Sequence, residues 1–181
     1  NTTVGDGSTY PTISFWNGSP FGTGAVTFGN GGYLISHNTQ TLNNNLTLNS
    51  SGSSNLLIFR NWDDPLTISG SVTLANDATT QMNAGFTGLA SADTSGTYVL
   101  PGSLTRHPTE ITGNITGAHQ LTVTGAGLLV LSGPNDYSGG TNVGFTGNNN
   151  NAGGSLIFAN YSAIPDGGTI QAGKANTNFA A

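Results

Sequence analysis

The sequence predicts an all-β chain wound as a β-solenoid. Three observations carry that expectation: short alternating apolar segments about ten residues apart, glycine-rich turns between them, and a long internal echo. Helix is disfavoured throughout, because Gly, Asn, Thr and Ser are weak helix formers and no window carries an apolar stripe at i, i+3, i+4 and i+7. Of the 181 residues, 35% are hydrophobic, 6% are charged and 28 are glycine. An ordinary domain is about a quarter charged. So much Gly, Asn, Thr and Ser would signal disorder without the regular interleaving of Val, Ile, Leu and Phe.

Each strand has its own local reason. Thr12–Phe15 alternates Thr, Ile, Ser, Phe, while Ala25–Phe28 and Tyr33–Ser36 flank the turn sequence Gly-Asn-Gly-Gly at 29–32. Leu46–Asn49 and Leu56–Arg60 lie either side of Ser-Ser-Gly-Ser-Ser at 50–54. Leu66–Leu74 is the longest alternating run, followed by Thr97–Leu100 and Glu110–Ile115. Leu121–Thr124 and Leu128–Leu131 are joined by Thr-Gly-Ala-Gly at 124–127, and Ser-Gly-Pro-Asn-Asp at 132–136 follows them. Ser155–Phe158 and Thr169–Gln171 complete the series. Most of these segments alternate or are β-branched, and the joins have turn chemistry.

Regular spacing alone would also suit a sandwich or barrel. Repetition distinguishes the solenoid. Thr12–Thr27 matches Ser155–Ile170 in pattern at an offset of 143, pairing Phe15 with Phe158, Asn17 with Asn160 and Ser19 with Ser162. Thr3-Val-Gly5 likewise echoes Asn142-Val-Gly144. The expectation is one solenoid segment over 1–181, made of one long repeat unit (1–143) and the start of the next (144–181). At about 22 residues per rung the chain makes roughly eight rungs, and with strands about 4.8 Å apart the rod is some 40 Å long.

Glu110–Val143 resembles the passenger-associated transport repeat, the autotransporter-associated β-strand repeat of large secreted bacterial proteins. The residues that carry the likeness are Leu121, the turn glycines Gly125 and Gly127, the Leu-x-Leu-x-Gly strand from Leu129 to Gly133, and the turn Asn135, Tyr137, Gly139, Gly140, Thr141. Looser similarity covers Gly24–Leu48. Pro134, Asp136 and the Asn148–Asn151 insertion depart from the pattern, and they fall in turns. The resemblance implies a right-handed parallel β-helix, a bacterial source and an extracellular or cell-surface location. The outer-membrane barrel of autotransporters is not in this sequence.

Chemistry is sparse. The net charge is -5, with Arg60, Arg106 and Lys174 the only Lys or Arg, so the basic footprint that nucleic acid requires is missing. There is no cysteine, which excludes thiol chemistry and Cys-based metal sites. No apolar run approaches the roughly 20 residues of a membrane-spanning helix. No signal peptide is evident, and the start at Asn1 without Met suggests a mature or excised segment.

Arg60, Asp63 and Asp64 form the densest charge cluster, and Arg106, His107 and Glu110 the second. On a strand, adjacent Asp63 and Asp64 would face opposite ways, so they do not make a catalytic pair or a Ca²⁺ site. No catalytic, cofactor or metal residue is assigned, and the chain is expected not to be an enzyme. His37 and His119 are isolated in sequence. Asn135 suits left-handed geometry and a bond to its own chain two residues on, Tyr137 a packed ring with a bonded hydroxyl, and the glycines beside them positive φ. Trp16 and Trp62 are candidate glycan-stacking residues.

A solenoid exposes unpaired strand edges and an open core at each end, normally covered by a cap. Neither Asn1-Thr-Thr-Val, which opens directly in strand pattern, nor Lys174–Ala181, short and polar, offers such a cap. The sequence therefore points to an extracellular structural segment or subunit of a fibre, stalk or surface assembly. Its partner would be itself, end to end, or more of a longer chain. The alternative is a carbohydrate-binding adhesin recognising cell-surface glycans; a polysaccharide-degrading enzyme stands third.

Overall fold

A computed structural model describes residues 1–5, 11–17, 19–29, 32–49, 56–61, 65–84, 108–124, 128–143, 155–166 and 168–172. They form seventeen strands in three sheets in which every pairing is parallel. Sheet I contains β1 (Thr2–Val4), β3 (Val26–Phe28), β6 (Leu46–Leu48), β9 (Val72–Leu74) and β12 (Ile115–Thr116) in that order. Sheet II runs β2 (Thr12–Phe15), β4 (Gly32–Ser36), β7 (Leu56–Asn61), β10 (Ala78–Ala84), β13 (Leu121–Thr124), β15 (Thr141–Val143) and β17 (Ile170–Ala172). Sheet III runs β5 (Gln40–Leu42), β8 (Leu66–Ile68), β11 (Thr109–Ile111), β14 (Leu128–Leu131) and β16 (Ser155–Phe158). From β4 to β14 the chain visits sheets II, III and I in strict rotation.

Parallel strands stacked in register place like residues on like. Val26, Leu46, Val72 and Ile115 make one inward column in sheet I, and Leu42, Ile68, Ile111 and Leu131 another in sheet III. All eight are buried in one apolar cluster between the sheets. Burying such side chains contributes about 1.5–3 kcal/mol each, an upper estimate because the unfolded chain already buries some of this surface.

Two expected strands are each broken in two. Leu66–Leu74 is β8 and β9, and the Glu110–Ile115 run is β11 and β12, with Gly70 and Gly113 turning the corner between sheets III and I. The alternation is not interrupted there. Leu66, Ile68, Gly70, Val72 and Leu74 are all buried, so the inward phase passes straight through the bend.

The corner explains its glycines. A Cβ on Gly70 would collide with Asn44 O, one on Gly113 with Gly70 O, and one on Gly133 with Gly113 O, because each lies directly over the carbonyl of the preceding circuit. Asn44, earlier in the column, points its side chain across a wider turn. Its Nδ2 donates to Gly22 O and Gly24 O, and its Oδ1 accepts from Ser19.

Strands β5, β10 and β15 are additional to the expected set, β1 lies in the strand-patterned Asn1-Thr-Thr-Val, and Thr97–Leu100 lies outside the described residues. The two parts of the 143-residue echo occupy different sheets: β2 is in sheet II and β16 in sheet III. The described residues contain no α-helix, only a 3-10 turn at Tyr161–Ala163 capped by Asn160. No helix among them is long and apolar enough to cross a membrane.

Candidate functional site

Among the described residues, the turn after β14 carries several buried polar side chains bonded to neighbouring segments. Residues 134–138 take the place of a sheet I strand: Asp136 N donates to Ile115 O and Ser138 N to Gly117 O. Those bonds place Tyr137 on the inward side of the segment. Tyr137 is fully buried, and its hydroxyl bonds Thr141 Oγ1 on β15. Burial pushes the phenol pKa above its ordinary value, and the Thr141 hydrogen bond acts in the opposite sense.

Asn135 does not bond two residues along its own chain. Its Oδ1 accepts from Ile115 N at 3.0 Å and its Nδ2 donates to Ala163 O at 2.7 Å, so one buried carboxamide ties together the circuits on either side. Nor is its backbone left-handed; Asn38 is the one non-glycine with positive φ among the described residues. The glycines divide by role. Gly140 has φ +86, whereas Gly133 and Gly139 have no positive φ and are required by space, with a Cβ on Gly139 meeting the His119 backbone. Gly125 and Gly127 lie outside the described residues.

Most of the charged candidates, Asp63, Asp64, Arg106 and His107, fall outside the described residues, as does Trp62. Glu110 accepts from Ser132 Oγ at 2.6 Å, and the Arg60 backbone lies in β7. His119 Nδ1 is 3.4 Å from Asp77 Oδ1, whose carboxylate also accepts from Gln120 N. No group of three or more His, Asp or Glu that could hold a metal ion occurs among the described residues. Trp16 is 56% exposed and stacks on His37, with centroids 4.1 Å apart and planes 3° from parallel. Ser14 Oγ lies 2.9 Å from His37 Nε2.

What the described residues of the turn offer is backbone bonding and packing. No protein-family model, curated protein or solved structure matches this chain. The structure also exposes features that no local motif announced. The outermost strands β16 and β17 carry Ile157 and Ile170 at 42% and 48% exposure, and Ile164 between them is 40% exposed. Their signal was present only as apolar residues in short strands, which look identical whether a neighbour covers them or not.

Proposed function

We propose that this chain is a right-handed β-solenoid segment of an extracellular bacterial fibre, stalk or surface assembly, continued end to end by parallel strands. Those strands belong to a second copy or to a longer polypeptide of the same kind. The observation that carries the reading is the pair of sheet edges β16 and β17, with Ile170 exposed at the end of the inward column of Leu121 and Thr141. An edge strand presents unpaired N–H and C=O groups, and Ile170, over the buried Thr141 and Leu121, gives an incoming circuit apolar core surface to cover. The strict rotation through three parallel sheets and the Asn and Ser bonds between circuits support such a repeating lattice. The likeness to autotransporter-associated repeats supports the extracellular placement, and the role is mechanical rather than enzymatic.

Cryo-electron microscopy of the native material is the test. A repeat near 4.8 Å along a filament of end-joined subunits is expected; discrete particles with covered ends would overturn the reading. A second reading, glycan adhesion, is favoured by one observation, the exposed indole of Trp16 held against His37. Glycan-array binding lost on Trp16→Ala would support it, and binding that is absent or unchanged would remove it.

A further inference from the structure

One face of the molecule repeats a single side chain. Thr3, Thr27, Thr47, Thr73 and Thr116 stand in consecutive register across all five strands of sheet I. Their strand neighbours Val4, Val26, Phe28, Leu46, Leu48, Val72, Leu74 and Ile115 point into the core, so the threonines point outward, and each is exposed or half-exposed. With strands about 4.8 Å apart the ladder is about 19 Å long. Beside it lie small or neutral residues: Ala25, Asn45 and Ser71 on one side, Gly29, Asn49 and Ala75 on the other. Sheet III lacks this uniformity, since its corresponding column reads Thr41, Thr67, Glu110, Val130, Ile157.

Identical β-branched side chains at strand spacing, free of charge, form the surface that pairs face to face in dry sheet-on-sheet contacts. Natural β-proteins deter unwanted sheet association with lysine or other charges, and the threonine column holds none. We propose that two copies of this chain pair face to face through the threonine ladder of sheet I. A self-pairing face is two-fold symmetric, so the middle threonine, Thr47, meets its own counterpart near the axis.

Five threonines offer less than the roughly 800 Å² per partner of a stable interface, so a single pair is weak. Where ladders are extended by end-to-end stacking, the contacts add along the rod, and lateral pairing bundles fibres. That extension rests on the function proposed above; the ladder contact itself does not.

The absence of cysteine makes the test clean. Thr47→Cys introduces one thiol, and bis-maleimidoethane suits the separation of about 10 Å between packed sheets. Each thiolate adds across one maleimide double bond and the adjacent carbon takes a proton, so no oxidant is needed. On the dispersed chain at high micromolar concentration, Thr47→Cys is expected to give covalent dimer about tenfold faster than Thr41→Cys on sheet III, through its higher effective concentration. Adding Thr27→Lys and Thr73→Lys should bring the rate down to that of the control. Equal rates for the two cysteine variants, or a rate unmoved by the lysines, would overturn the ladder interface. Native material without filaments would count against end-to-end stacking and leave the cross-linking result standing.

Discussion

Gly113→Ala tests the corner most directly. Its Cβ would lie far inside van der Waals contact with Gly70 O, and neither atom belongs to a side chain that can rotate away. The two circuits must separate locally, stretching the bonds from Thr112 N and Gly113 N to Ile68 O. Overpacking of this kind costs about 1–3 kcal/mol, set against about 0.4–1 kcal/mol gained by restricting the unfolded chain. The expected net loss is about 1–2 kcal/mol, or roughly 2–8 °C in Tm for a domain of this size. Gly24→Ala is the matched reference. There the new Cβ meets only Asn1, with Asn1 N at 3.1 Å, so the neighbour has to give by only a few tenths of an ångström. Urea-denaturation midpoints for both variants, measured in the same assembly state, decide the matter. If Gly113→Ala falls within about 0.5 kcal/mol of Gly24→Ala, the direct stacking of corner glycines on carbonyls is not what fixes residue identity there.

The remaining predictions concern the turn and the ends. Tyr137→Phe leaves the buried Thr141 hydroxyl without its phenol partner and should cost about 1–3 kcal/mol by denaturant titration. The raised phenol pKa adds a pH signature. Above the ordinary value of 10.0 the unfolded chain releases the proton before the folded chain does, so wild-type stability should fall as pH rises past that point, and Tyr137→Phe should lose that component of the slope. Asn135→Ala removes the acceptor for Ile115 N and the donor to Ala163 O inside the core, and should cost about 2–4 kcal/mol; native-state hydrogen exchange at Ile115 should accelerate. Ile170→Lys places a charge on the exposed edge strand β17 and should suppress end-to-end association in analytical ultracentrifugation while leaving the circular dichroism spectrum unchanged.

Much of the β-structure was legible because each strand is short and alternates, as in Thr12–Phe15 and Leu128–Leu131. The corners were not. From Leu66 to Leu74 the inward phase runs unbroken through Gly70, so a period-two pattern cannot say where one sheet ends and the next begins. Packing of the Tyr137 ring and bonding of its hydroxyl follow from residue type, since a buried phenol needs a partner. Asn135 was harder to read, because Ile115 and Ala163 are 20 and 28 residues away in sequence. The threonine ladder was hidden for the same reason: steps of 24, 20, 26 and 43 residues separate its members, and no fixed period connects them.

That irregular spacing has a consequence for how the molecule tolerates added sequence. Ile68 and Ile111 are register partners although 43 residues apart, while Ile111 and Leu131, 20 residues apart, pair in the same way in the same sheet. Chain length between register points is thus decoupled from the register itself. Doubling a flexible connection costs only about 0.6 kcal/mol in closure entropy. Added length between two register points therefore need not disturb the pairing on either side. A foreign peptide placed there would be held at a fixed position along the stack, and chains joined in series would display it at an interval set by the backbone rather than by the cargo.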